Sequence, residues 1–303
     1  MKSNAIFVSE EVQAAVRENR PVVALESTIF THGLPRPRNL EVALEAEASL
    51  RAAGVTPATI GVYNGVPTVG LTTEQITELS QVDNMDKVSL RDLPVVSALG
   101  VHGGTTVAAT AFLAHHAGVK VFSTGGLGGV HHGASETFDE SADMTILVQV
   151  PIVVISAGVK SILDVAATLE RFETLNIPVI GYGTTKYPGF YVSDSGFQVN
   201  YAVQTTDEAA KIINARDDLG LPQSVLLANP VAEDKQLPPE ELEDILARAW
   251  GEAEAQGISG NASTPFLLDF IQRDTKGRSL EVNIDVYRGN VDLGGQLATS
   301  LTK

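Results

Sequence analysis

Residues 118–158 read GVKVFSTGGLGGVHHGASETFDESADMTILVQVPIVVISAG. Two apolar runs, GVKVFS (118–123) and MTILVQVPIVVISAG (144–158), enclose twenty residues that hold five glycines, two histidines and four carboxylates. Neither flank alternates apolar with polar, and continuous apolar runs suit strands covered on both faces of a sheet. About twenty residues of loop between two buried strands is uncommon in a compact fold and usually functional. The flanks bear on the fold, and the interior bears on chemistry.

The same pattern repeats outward. Strand-type runs are predicted at 21–28 (PVVALEST), 58–63 (ATIGVY), 66–71 (VPTVGL), 119–124 (VKVFST), 145–156 (TILVQVPIVVIS), 178–183 (PVIGYG), 224–229 (SVLLAN) and 281–287 (EVNIDVY). Helix-type segments fall between them, at about 9–19, 39–51, 105–116, 161–175, 206–215, 239–256 and 264–273. Asn39 and Thr264 are candidate N-caps, Pro265 sits in a first turn, and Gly54 lies just past a helix end. Strand–helix alternation implies a layered α/β fold. The Asn-Gly of YNGV (63–66) is a tight-hairpin signal, so the sheet is expected to be mixed. The expectation is a single domain over 1–303, a three-layer α/β/α sandwich with a mixed, mostly parallel central sheet. The Pro- and acid-rich 229–241 serves equally as a boundary or as an ordinary loop and helix cap.

Composition narrows the function classes. With 44% hydrophobic residues the chain can bury a large core. A net charge of −16 argues against general nucleic-acid binding, yet leaves room for one small anionic substrate. The absence of cysteine excludes disulfides, thiolate nucleophiles and thiolate metal sites. No apolar run reaches the roughly 18 residues of a membrane span, and the glutamate-rich N-terminus lacks a signal-peptide core. A cytoplasmic location is expected.

The glycine-rich loop fails as a dinucleotide fingerprint, since His131 stands where Gly126 and Gly128 require a third glycine, and no helical period follows. It also lacks the G-K-[ST] of a phosphate loop. Its His131, His132, Glu136, Asp139, Glu140 and Asp143 suit a hard cation such as Mg²⁺ or Mn²⁺ better than zinc, or else a solvated surface. Its glycines would let a ligand approach the backbone. Upstream, Thr105 and Thr106 open a helix start that could hold an anion or be a plain cap. His115 and His116 complement the dipole at the end of that helix.

Two residues at strand ends stand out. Lys160 follows the apolar VPIVVIS run and precedes a helix, where α/β ligands commonly bind. Desolvation lowers an amine's pKa from about 10.4, which favours Schiff-base chemistry with an aldehyde carbon. The other reading is a lysine that snorkels outward or pairs with Asp164. Glu26 ends the run VVAL, and beside apolar residues a carboxylic acid keeps its proton to higher pH and can donate it. Alternatively it is an exposed strand-end glutamate.

Taken in order, ALESTIFTHGLPRP (24–37), KVSLRDLP (87–94), GGTTVAATA (103–111), FSTGGLGGVHHGASETFDESAD (122–143), ISAGVKSILD (155–164), PVIGYGT (178–184), TPFLL (264–268) and NIDVYRGNVDLGGQLA (283–298) resemble the pseudouridine-5′-phosphate glycosidase family, also called the indigoidine synthase A family. The resemblance implies a layered α/β/α fold, a homotrimer and a divalent metal, generally Mn²⁺ with Mg²⁺ as the other candidate. It implies reversible cleavage of the C–C bond between ribose 5-phosphate and uracil. By the same resemblance Lys160 is the nucleophile, Glu26 the proton donor and Asp139 the metal ligand. Lys87, Val107, Ser141, Ala142 and Asp143 match substrate-contacting positions, and His131 and Asn283 line the pocket. Leu90, His132 and Asn261 depart from the family pattern, which commonly has arginine, arginine and lysine there. A non-catalytic sugar-phosphate sensor, or a glycosidase for a related N-glycoside, remain as alternative readings.

Overall fold

The computed structural model describes residues 5–258 and 263–303. Eleven strands are described: β1 (Phe7–Val8), β2 (Val22–Glu26), β3 (Thr56–Tyr63), β4 (Val66–Val69), β5 (Asp86–Val88), β6 (Gly103–Thr105), β7 (Val121–Ser123), β8 (Val153–Ser156), β9 (Val179–Tyr182), β10 (Tyr201–Val203) and β11 (Val225–Ala228). Among them run the helices α1 (Glu10–Arg17), α2 (Arg38–Ala52), α3 (Thr73–Gln81), α4 (Leu93–Leu99), α5 (Val107–His116), α6 (Ala134–Thr137), α7 (Ala142–Leu147), α8 (Val165–Thr174), α9 (Thr206–Asp218), α10 (Pro239–Ala255), α11 (Ser263–Asp274) and α12 (Arg278–Ser300). No helix among the described residues is long and apolar enough to cross a membrane.

One sheet joins the strands in the order β1-β4-β3-β2-β7-β8-β11-β9-β10, with β6 pairing β3 and β5 pairing β6. Its centre is parallel; the antiparallel pairs are β3 with β4 and β3 with β6. The β3–β4 hairpin turns at Asn64 and Gly65, both at positive φ, as the Asn-Gly signal predicts. Side chains along the central strands alternate between two cores. Val22 and Ala24 face one and Val23 and Leu25 the other; Val154 faces the first, Val153 and Ile155 the second. Helices cover both faces, so the mixed, mostly parallel three-layer expectation holds. Each fully buried Val, Leu or Ile contributes about 1.5–3 kcal/mol relative to exposure, which is why these strands read as unbroken apolar runs.

Some expectations change. The predicted strand 145–156 divides into the end of α7 and the strand β8. Residues 281–287 are helical, part of α12, and not a strand. Their alternating burial, with Val282, Ile284 and Val286 all under 6% exposed, imitates a strand. The cause is packing: α12 lies against β2, β7 and β8 and also touches α2, α9 and α11, so it is buried around much of its circumference. Asn39 is no cap; its amide is buried and donates to the carbonyls of Phe30 and Ser80, 2.7 and 3.0 Å away. The helix predicted from 161 begins at Val165, capped by Asp164, whose Oδ1 accepts from the Ala167 N–H at 2.9 Å.

At the crossing of α12 over the sheet, Gly294 meets Ser123 so closely that an added Cβ would collide with the serine Oγ. Gly294→Ala is expected to lower stability by about 1–3 kcal/mol through overpacking. A denaturant titration checks this, and an unchanged midpoint would show that the helix is free to shift.

Candidate active site

The parallel pairing of β2 with β7 sets Leu25 beside Ser123, and that of β7 with β8 sets Ser123 beside Ile155. The residues just beyond these pairs therefore gather at one carboxyl edge of the sheet, where α/β folds bind ligands. Glu26 is there and it is 7% exposed, which rules out the exposed strand-end reading. The hydroxyls of Thr28 and Thr124 donate to its two carboxylate oxygens. Burial raises the Glu26 pKa; the charge of Lys160 and the two hydroxyls pull the other way, and Asp143 adds a smaller upward push.

Lys160 follows β8 through a turn. Its N–H donates to the Leu127 carbonyl at 3.1 Å, and Leu127 in turn donates to the Gly158 carbonyl at 3.0 Å, so the glycine-rich loop and the lysine segment are stitched together. Asp164 is engaged in capping α8, not in pairing with Lys160. Lys87, on β5, is within electrostatic reach of the same group. Its ammonium is lowered first by desolvation and then by Lys160, against Glu26 and Asp143. The Lys87 residue is still exposed to solvent. Glu26, Lys160, Lys87 and Asp143 thus form one cluster of two acids and two amines.

Asp143 is the clamp beneath it. One carboxylate oxygen accepts from the Ala108 N–H in the first turn of α5, and the other from the Gly128 N–H, both at 2.9 Å. The anion at this helix start is the protein's own, which answers the expectation for Thr105 and Thr106. Thr105 lies on β6 and donates to the Ile60 carbonyl. The Thr106 hydroxyl is buried without a partner. Val107 opens α5 and is buried. Ser141 caps α7, its Oγ accepting from the Asp143 N–H at 3.2 Å, and Ala142 is exposed at the first turn. Asn283, on α12, presents a buried Oδ1 that no protein group satisfies, beside the open side of Gly125. A buried polar atom without a partner is costly unless a ligand serves it.

The glycines behave differently from expectation. Added Cβ atoms at Gly126, Gly128 and Gly129 would strike Phe190, the Ser141 and Asp143 side chains, and Thr168. These three glycines admit neighbouring protein groups rather than a ligand. Gly125 and Gly133 differ: an added Cβ would make only ordinary contacts with Asn283 and Phe190 at Gly125, and would meet nothing at Gly133.

Asp139 and His131 meet at the outer end of the loop, Oδ2 to Nδ1 at 3.9 Å, with the His131 N–H donating to the Asp139 carbonyl. Among the described residues no group of three or more His, Asp or Glu converges in metal-binding geometry. One carboxylate suits a hard cation that keeps most of its waters, such as Mg²⁺ or Mn²⁺, and no cation that needs a full protein cage. Of the departures, His132 stands edge-on to Trp250 at 5.1 Å and Leu90 packs against the core. Asn261 lies outside the described residues.

The family model described as "Indigoidine synthase A like protein" matches residues 11–300. The chain belongs to the indigoidine synthase A family. It is 62% identical to a pseudouridine-5′-phosphate glycosidase of Saccharopolyspora erythraea over 97% of each chain. It is 50% identical to one of Frankia alni, across 97% of this chain and 81% of that one. Among solved structures, a prealnumycin C-glycosynthase in complex with ribulose 5-phosphate matches with TM-score 0.92 and 34% identity, covering 99% of this chain and 98% of that one. An indigoidine synthase A-like protein of Thermotoga maritima matches with TM-score 0.89 and 35% identity, covering 100% and 99%.

Thr28 and Thr124 were not singled out from the sequence of this family member. Thr124 directly follows β7 and Thr28 lies two residues past β2, but only the strand register brings Thr124 to Glu26. Asp143→Asn would leave one of the two backbone N–H groups, on Ala108 or Gly128, without an acceptor. We expect a loss of about 1–3 kcal/mol in chemical denaturation; a stability equal to the parent's would mean the clamp is not made.

Proposed function

We propose that this protein is a pseudouridine-5′-phosphate glycosidase, which reversibly cleaves the C–C bond of pseudouridine 5′-phosphate to uracil and ribose 5-phosphate. One observation carries the reading: Glu26 and Lys160 share a cluster at the carboxyl edge of the sheet, joined by Lys87 and Asp143. The names of the relatives and the sugar phosphate in the C-glycosynthase structure support it.

A C–C glycosidic bond offers no heteroatom leaving group, so a pair of carboxylates acting as in ordinary glycoside hydrolysis would not suffice. In our reading the Lys160 amine bonds to the anomeric carbon as the bond to the ring oxygen breaks, giving an open-chain adduct. Protonation of uracil C5 then accompanies cleavage of the C–C bond, and the bonding electrons remain with uracil. The sugar is left as an imine on Lys160. Water hydrolyses the imine, returning the amine and releasing ribose 5-phosphate. Glu26, whose pKa burial raises, is the donor. Lys87 offers its ammonium to the anionic substrate, and the unpartnered oxygen of Asn283 and the hydroxyl of Thr106 accept or donate hydrogen bonds along it. Val107, Ser141, Ala142 and Asp143 shape the wall on which it lies, with His131 at the rim. Mn²⁺ or Mg²⁺ held through Asp139 and water would orient the substrate and offset phosphate charge. A homotrimer, which rests on the family resemblance, and a cytoplasmic setting, which rests on the sequence's composition, belong to the same proposal.

Incubation with Mn²⁺, uracil and ribose 5-phosphate should give C-glycoside formation, followed by ultraviolet absorbance. Borohydride should trap ribose 5-phosphate on Lys160, seen as a mass adduct on the peptide that contains it. Lys160→Ala is expected to abolish both; an adduct on another lysine, or turnover without Lys160, would reject the mechanism. No reaction with an active control enzyme would favour a sugar-phosphate sensor.

Glu26 also links activity to stability. The unfolded carboxyl ionises near its ordinary value of about 4.3, while the folded one holds its proton to higher pH. The native state therefore binds more protons in that window, and stability falls as pH rises through it. Above it, Glu26→Gln should melt higher than the parent and be inactive. The gap should close below about pH 4. A variant that melts lower than the parent at every pH would contradict this.

A further inference from the structure

We infer that Asn290 is a positioning residue for this reaction, holding the end of β7 so that the Thr124 hydroxyl stays on Glu26. The inference rests on the reading of Glu26 as proton donor. Asn290 lies on α12 and is 1% exposed. Its Nδ2 donates to the carbonyls of Thr124 and Gly125, at 2.7 and 3.2 Å. Its backbone carbonyl accepts from the Ser123 Oγ at 2.9 Å. One residue thus grips three consecutive positions where β7 passes into the glycine-rich loop. Two carbonyl acceptors on one side determine which end of the amide is the donor. The other end, Oδ1, accepts from the Asn229 Nδ2 at 2.9 Å, and the Asn229 N–H donates to the Ser156 carbonyl at 2.8 Å. The chain of bonds runs from the end of β8 through Asn229 and Asn290 to Thr124 and so to Glu26.

Thr124 is held from two sides. Its N–H donates to the Ile155 carbonyl at 3.0 Å, and its carbonyl accepts from Asn290. With both peptide groups secured, the direction of its side chain is set, and its hydroxyl donates to Glu26. Asn290 does not bond to the Glu26 carboxylate itself; it acts through Thr124. The other groups that face the carboxylate are Thr28, Lys160 after β8, Asp143 on α7, Lys87 on β5 and Tyr287 on α12. None of them is bonded to Asn290, so removing its amide should reach Glu26 by the Thr124 route alone.

The experiment is a double-mutant cycle with Asn290→Ala and Thr124→Val, read as kcat, KM and the pH profile of cleavage. Asn290→Ala should lower kcat about tenfold, the effect of one lost charge-assisted hydrogen bond, with KM nearly unchanged. Thr124 donates to the ionised carboxylate, so its loss should move the alkaline limb of the profile to higher pH in both single variants. The double variant should be no worse than Thr124→Val. Effects that multiply, or an Asn290→Ala protein that is less stable but keeps the parental kcat and alkaline limb, would overturn the inference. If Asn290→Ala does not fold, Asn229→Ala carries the test, because it keeps both Asn290 donors while removing the bond that orients the amide. It should lower kcat less, and not at all in the Thr124→Val background. Parental kcat in Asn229→Ala, or an undiminished effect in that background, then overturns it. Glu26→Gln separates the two readings: if it turns over normally, the proton-donor assignment fails. If it is inactive while the Asn290 effects are absent, only the positioning role fails.

Discussion

The register of three parallel strands governs the site. Leu25 on β2 lies beside Ser123 on β7, which lies beside Ile155 on β8. Glu26 and Thr124 are the next residues along, so their meeting is a consequence of pairing and not of any local motif. A slip by one residue would turn every side chain of a strand to the opposite face. Both faces are buried here, with Val22 and Ala24 in one core and Val23 and Leu25 in the other. That double burial makes the slip costly in two places at once. The cores that give the sheet its stability also fix which carboxylate faces which hydroxyl.

The two buried acids of the cluster are treated differently by their surroundings. Asp143 accepts from two backbone N–H groups, donors that cannot rotate away, at the first turn of a helix. Glu26 accepts from two threonine hydroxyls, which can turn, and its burial outweighs their help and that of Lys160. The first arrangement ties α5 to the loop. The second suits the proton donor proposed for Glu26. Both lie within reach of the same two amines, so their surroundings differ where residue type hardly does.

The layered α/β class, the mixed sheet and most of the strands are legible in the sequence, because buried parallel strands leave unbroken apolar runs and the hairpin leaves its Asn-Gly mark. EVNIDVY misleads because a helix packed on several sides no longer shows a polar face; the 23 residues of α12 keep Val282, Ile284 and Val286 buried as a strand would. Lys160 and Glu26 are legible as chemistry-bearing residues at strand ends. Thr124 and Asn290 are not, since their parts depend on register and on α12 returning across the sheet about 165 residues further along the chain.

The glycine-rich loop is where the sequence reading and the structure diverge most in meaning. Glycine suggests openness to a ligand, yet Gly126 accommodates Phe190, Gly128 accommodates Ser141 and Asp143, and Gly129 accommodates Thr168. Each missing Cβ lets another part of the chain come within contact distance of the loop backbone. The Val130 N–H donates to the Thr168 hydroxyl, while Leu127 and the Lys160 segment exchange backbone bonds. Length alone would make such a loop mobile, and small residues alone would make it more so. Here small residues make the loop compact, because close approach replaces side-chain packing. The reaction proposed at Lys160 needs its flanking backbone held still. Gly126, Gly128 and Gly129, by leaving no space, meet that need.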